Sequence, residues 1–148
     1  MNFQLNWRGP QVAAAVNSQV VAPLLGEIGL AVEREGKLQL YAGHGLISGA
    51  LRSSIHTAEP GYNWNADNVD SLRGAPQRGG KLVAAAQQLG KLVVQVGSGM
   101  VYAMAIHQGW PQGYPGLRGS FAGYHYLTNA VERVRPLVAS MAARHRLK

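Results

Sequence analysis

The sequence predicts an α+β fold: a long N-terminal helix, a small antiparallel sheet, a short helix, and a C-terminal helix packed on that sheet. Three observations predict it. Apolar residues recur at three- and four-residue steps from Val12 to Val32, and again from Tyr124 to Met141. Between these stretches, Val94 and Val96 alternate with Gln95 behind a Leu89-Gly90 turn, the pattern of a half-buried strand leaving a hairpin. The 148 residues, 47% hydrophobic and 14% charged, are enough for one domain, 1–148, with a genuine core.

Pro10 suits a first helical position, and Gln11 to Glu35 is helix-compatible apart from the weak formers Asn17 and Ser18. Val12, Val16, Val20, Leu24, Ile28 and Val32 mark its buried face. Pro23 is expected to kink or divide this helix, and Gly36 to end it. Glu33 and Glu35, with Arg34 and Lys37, read as a solvated helix end. Gly43-His44-Gly45 is a flexible turn, and Leu46 to Thr57 is a short turn leading into a strand.

Glu59 to Gly80 is rich in proline, glycine and asparagine. A loop of this length inside a compact domain is a functional arm or a disordered segment. Tyr62 and Trp64 within it are candidate contacts to a neighbouring subunit or partner, with Arg73 and Arg78 beside them. The alternative is that the two aromatics pin the loop to their own domain.

Lys81 to Gln88 and Lys91 to Gly97 flank the hairpin turn, although Val83 to Gln87 also suits a helix. Val101 to Gln108 reads as a short helix closing at Gly109, and Trp110 to Gly123 as an irregular connection. In the last helix Leu127, Val131, Val134, Val138 and Met141 form the buried stripe, with Arg133, Arg135, Arg144 and Arg146 largely off it. Pro136 is expected to bend this helix near its middle.

Little here points to catalysis. There is no cysteine, so neither disulfides nor thiolate chemistry is available. No two of the five histidines stand at a helical step, and no zinc-type motif is present. His107 reads as a buried or capping side chain. Ser53-Ser54 lacks the glycine frame of a hydrolase elbow, and Gly97-Ser98-Gly99 is too short for a phosphate loop. The expectation is a protein without catalytic residues, metal or cofactor.

Charge is unevenly spread. Residues 1–70 carry a balance of −2 and residues 71–148 one of +9, for a total of +7. A one-sided basic half points to a polyanion or an acidic protein surface, unless it is ordinary solvation of exposed faces. Arg144, Arg146 and Lys148 are the candidate polyanion contacts. No nucleic-acid-binding signature accompanies them, so any contact with DNA is expected to be nonspecific. Met1 to Pro10 lacks the pattern of a secretory signal. Val12 to Val32 is broken by Asn17, Ser18, Gln19, Pro23 and Glu27, so a soluble cytoplasmic chain with no membrane partner is expected.

Two segments about fifty residues apart carry a family resemblance: Ser48-Gly49-Ala50-Leu51-Arg52-Ser53-Ser54-Ile55 and Val101 to Gly109. The first resembles the Thr-Gly-x-Leu-Arg-x-Ser-Ile pattern of tailed-phage tail-completion and head–tail connector (neck) proteins, which include minor tail components of long-tailed phages. Ser48 stands in place of the threonine. Downstream, Val94-Gln95-Val96-Gly97, then Tyr102-Ala103, then a helix closing on Gly109 follow the family's order. The ending Ile106-His107-Gln108-Gly109 is more similar to relatives from contractile-tailed phages. Tyr126-Leu127-Thr128-Asn129-Ala130 resembles the family's closing segment, with Gly123-Tyr124-His125 replacing its usual proline. The likeness covers 46–57, 91–109 and 124–140, and 10–40 more weakly.

The resemblance implies a non-catalytic virion protein at the head–tail neck or top of the tail. It would form a homo-oligomeric ring, a hexamer, touching neighbouring neck and tail proteins while DNA passes through, and would assemble in the bacterial cytoplasm. Gly49, Leu51, Arg52, Ile55, Tyr102, Ala103, Gly109, Leu127 and Ala130 are then fold-determining positions. Physically, Gly49 permits a backbone turn closed to other residues, Leu51 and Ile55 point inward, and Tyr102 and Ala103 pack the short helix on the sheet. The rival reading is a small nonspecific nucleic-acid-binding protein using the basic half.

Overall fold

The computed structural model describes residues 2–6, 18–46, 49–67 and 77–146. In chain order the elements are β1 (Asn2–Asn6), α1 (Ser18–Leu38), β2 (Tyr41–Ala42), β3 (Gly45–Leu46), α2 (Ala50–Ser54), β4 (His56–Ala58), β5 (Ala86–Gln88) and β6 (Lys91–Gly97). Then follow α3 (Ala103–Gln108), α4 (Tyr126–Val134) and α5 (Val138–Arg146). Single 3₁₀ turns lie at Trp64–Asp67 and Arg135–Leu137. The architecture is α+β, as expected.

β6 is the axis of an antiparallel sheet. One edge carries β1, with Asn2 opposite Gly97 and Asn6 opposite Val93. The other edge carries two short strands end to end: β4 against Gln95–Gly97 and β5 against Lys91–Val93. The strand β1 ahead of the helix is an addition to the expected order. So is a two-residue parallel pair between β2 and β3. The β5–β6 hairpin turns on Leu89 and Gly90, with φ of 50° and 75°, the paired positive angles that match the twist of the flanking strands. Of the stretch 81–88 only Ala86–Gln88 is strand, and none of it is helix.

Helix α1 corrects two expectations. It runs unbroken through Pro23 and continues past Gly36 to Leu38. Proline forfeits one backbone bond and costs ~3 kcal/mol in a helix interior. Burying Leu24, Leu25, Ile28 and Val32 outweighs that, at roughly 1.5–3 kcal/mol per side chain. Gly36 serves contact, not termination: a Cβ there would stand 3.0 Å from Leu127 Cδ2 in α4. Gly26 does the same for the Val83 carbonyl, and it lets the segment before β5 lie on the helix, where the Ala85 N–H donates to the Ala22 carbonyl at 3.0 Å. The proposed helical residues 11–17 lie outside the described residues.

The C-terminal helices run antiparallel to α1. Glu35 meets Arg133 at 3.8 Å near one end, and Glu27 meets His145 at 3.0 Å and Arg144 at 3.9 Å near the other. The bend at Pro136 is the 3₁₀ turn that divides α4 from α5. In the core, Val32, Ile55, Val94, Val96, Ala103, Tyr126, Leu127, Ala130 and Val134 are at most 1% exposed. Gln95, on the opposite face of β6 from Val94 and Val96, is also buried. The strand is therefore covered on both faces, not half-buried, because residues 59–67 fold over the second one. Among the described residues no helix is long and apolar enough to cross a membrane.

Candidate interaction site

The first motif segment meets the stretch that leads into the second. Gly49 sits ahead of α2 with φ 79°, the left-handed conformation that glycine adopts without strain. Ala50, Leu51, Ser54 and Ile55 are buried behind it. The Ser54 hydroxyl donates to the Leu51 carbonyl at 2.7 Å and lies 2.7 Å from Ser98 Oγ, which accepts the Met100 N–H at 3.1 Å. This relay ties α2 to the end of β6 and the start of α3. The Tyr126 hydroxyl donates to the Ala103 carbonyl at 3.3 Å, joining α4 to the same point. Burial pushes the Tyr126 hydroxyl pKa well up, with the Tyr102 phenol adding to it. Tyr102, half-buried, precedes α3. Arg52 is the exception among the motif residues: it is exposed, and among the described residues its side chain has no hydrogen bond or ion pair.

At the far end of α3, Gly109 has φ 80° and its N–H donates to the Ala105 carbonyl at 2.7 Å. Any Cβ there would strike the Phe121 carbonyl and the Gly123 nitrogen. His107 is buried, with Nδ1 3.5 Å from the Leu127 N–H and Nε2 3.2 Å from Thr128 Oγ1. Its Nδ1 therefore accepts from the first turn of α4, whose own preceding residue, His125, supplies no side-chain cap. Burial and the adjacent His125 lower its pKa to about 4.

The start of the 59–80 loop folds onto its own domain. Trp64 is 9% exposed, and its indole N–H donates to Gln95 Oε1 at 3.0 Å. It is thus the pin that holds the loop to the sheet and not an exposed anchor, which corrects its assignment as a partner contact. Tyr62 remains partly exposed at the rim and donates its hydroxyl to Asp67 Oδ1 at 2.7 Å; that bond, with some burial, raises its pKa. Arg78 reaches the same Asp67 oxygen at 3.1 Å. His56 Nδ1 lies 2.9 Å from the Ser54 carbonyl, so the proton sits there. Its Nε2 is left 3.4 Å from Asp67 Oδ2, with neither atom hydrogen-bonded.

Glu33, read from sequence as part of a solvated end, is 1% exposed. Oε1 accepts from Lys37 Nζ at 3.0 Å and the Gly80 N–H at 2.7 Å; Oε2 accepts the N–H and hydroxyl of Thr57, each at 3.0 Å. Lys37 also donates to the Arg78 carbonyl at 2.7 Å. A visible signal existed: Glu33 stands at helical spacing from Gly29 and Gly36, on the side of α1 that meets β4 and α4.

Between β4 and residues 77–83 opens a cavity of about 450 Å³, walled by Ala58, Tyr62 and Val83 and edged by Glu59, Arg78 and Lys81. Among the described residues no group of three or more histidine, aspartate or glutamate side chains is placed to hold a metal ion. Arg144 is exposed and shares Glu27 with His145. Arg73 and Lys148 lie outside the described residues, as does the side chain of Arg146. Comparison with known protein families, with curated proteins and with solved structures returns no match.

Proposed function

We propose that the chain is a structural virion protein of a tailed phage or prophage. It forms a closed ring, a hexamer, at the head–tail neck or the top of the tail. The reading rests on the resemblance of the two motif segments, and one observation supports it. Ser54 in the first motif segment contacts Ser98, just ahead of the second segment Val101 to Gly109, and the elements follow the α+β order that the resemblance implies. Its self-contacts are head-to-tail, since only such contacts close a ring by rotation. Neighbouring neck and tail proteins stack on the ring, and DNA passes through it without sequence readout.

Two measurements test this. Light scattering with negative-stain imaging is expected to give a discrete annular oligomer. Particles assembled without the chain are expected to leave heads and tails unjoined; joined, infective particles would overturn the reading. The rival nucleic-acid reading draws on Arg133, Arg135 and Arg144, 65–70% exposed, although each also faces a glutamate. Tight, salt-sensitive duplex binding by the isolated monomer would favour it.

A further inference from the structure

Residues 111–120 are all exposed, yet their conformation is built. Trp110 and Phe121 close the base with two backbone bonds of 2.8 and 2.9 Å and rings 4.8 Å apart. Phe121 packs on Tyr124, and Tyr124 on His44, which anchors the base to the turn between β2 and β3. Two successive turns follow, the Tyr114 N–H donating to the Pro111 carbonyl and the Leu117 N–H to the Tyr114 carbonyl. Gly113 and Gly116, with φ of 83° and 81°, supply the third position of each, as turns of this kind require.

What this loop displays is apolar. Tyr114 is 52% and Leu117 40% exposed, and Arg118 beside them has no acidic partner among the described residues. No acidic residue occurs anywhere from Val96 to Val131. Aromatic and aliphatic side chains beside an arginine, on a preorganised loop, have the make-up of an interface anchor. A complementary surface exists elsewhere on the chain. Among the described carboxylates, Glu27, Glu35 and Glu132 each face an arginine, and Glu33 and Asp67 are buried in bonds. Among the described residues Glu59 is ion-paired to no cation, and it shares the edge of the 450 Å³ cavity with Lys81 and with Arg78, which is held by Asp67. That volume falls within the roughly 300–1,000 Å³ of ligand-sized pockets.

We propose that loop 111–120 of one copy docks on the cavity between β4 and residues 77–83 of a second copy, with Tyr114 and Leu117 entering it and Arg118 facing Glu59. Loop and cavity share no residue, so the contact is heterologous and propagates from copy to copy. The inference rests on the ring reading for the presence of a second copy.

The absence of cysteine makes a clean test. Leu117→Cys and Glu59→Cys, two single variants at exposed positions, are mixed under mild oxidation. A mixed disulfide in the assembled fraction is expected, identified by differently tagged chains. Arg118→Glu and Glu59→Arg should each weaken self-association at least roughly fivefold through like-charge contact, and the double exchange should restore it. An oligomer that forms no mixed disulfide and ignores the charge variants overturns this contact and leaves the ring reading standing. A chain that stays monomeric at every concentration also overturns the contact. The ring reading is judged separately, by whether particles made without the chain remain joined.

Discussion

Glu33 and Thr57 meet twice: one carboxylate oxygen accepts both the backbone N–H and the hydroxyl of the threonine, each at 3.0 Å. That N–H lies outside the β4–β6 ladder, on the open edge of a three-residue strand. An acid from α1 thus occupies an edge that would otherwise be free to pair with another strand. Its second oxygen holds Lys37 and the Gly80 N–H, so one side chain joins the helix, the sheet and the end of the long loop.

Glu33→Ala should therefore cost about 3–5 kcal/mol, because Lys37 and two backbone donors lose their acceptor in a buried site. Glu33→Gln should cost less and still destabilise, since its amide brings donors toward donors. Urea unfolding of the three proteins checks this. Equal midpoints would mean that the site rehydrates.

Trp64→Ala should unfold the domain more easily by about 3–5 kcal/mol, the usual range for a buried aromatic. Trp64→Phe keeps much of the ring but strands Gln95 Oε1, at about 1–3 kcal/mol. Thermal melting of the monomer is the measurement. An unchanged melting temperature with lost assembly would return Trp64 to the role of partner contact.

His107 sets an acid limit. Its folded pKa of about 4 lies below the ordinary 6.5, so between those values the unfolded chain binds more protons. Its contribution is complete above pH 6.5 and is lost as pH falls toward 4, by roughly 3 kcal/mol at most. Protonation also turns the Nδ1 acceptor of the Leu127 N–H into a donor. Denaturation curves from pH 7 to 4 should be steeper for the natural chain than for His107→Gln. Parallel curves would remove His107 as the cause.

Gly26→Ala sets two effects against each other. In an open helix the exchange gains about 1 kcal/mol. Here the new methyl strikes the Val83 carbonyl, a backbone atom that the Ala85–Ala22 bond holds in place. The expected result is a net loss of stability together with loss of slow amide exchange at Ala85. A gain in stability would show that the 83–85 segment moves freely.

Agreement between sequence and structure is closest where a signal is local. The hairpin at Leu89-Gly90, the helix closing on Gly109 and the bend at Pro136 all follow from backbone chemistry within a few residues. Pro23 and Gly36 carry equally local signals and mislead, because burial against the sheet and α4 outweighs them. Trp64 is the same case at the site: its loop is polar by composition, and contact with Gln95 of β6 and His56 of β4 makes it core.

By itself the sequence determined the α+β class, the apolar stripes and the lack of cysteine chemistry, since periodicity and composition need no partner to be read. Tertiary structure alone decided that Glu33 is buried and bonded on four sides, that Arg52 faces solvent, and that β6 is covered on both faces. It also decided that Tyr114 and Leu117 stand uncovered on a built loop. The reason is physical: burial and hydrogen-bond satisfaction depend on which distant segment lies opposite, and adjacency along the chain does not encode it.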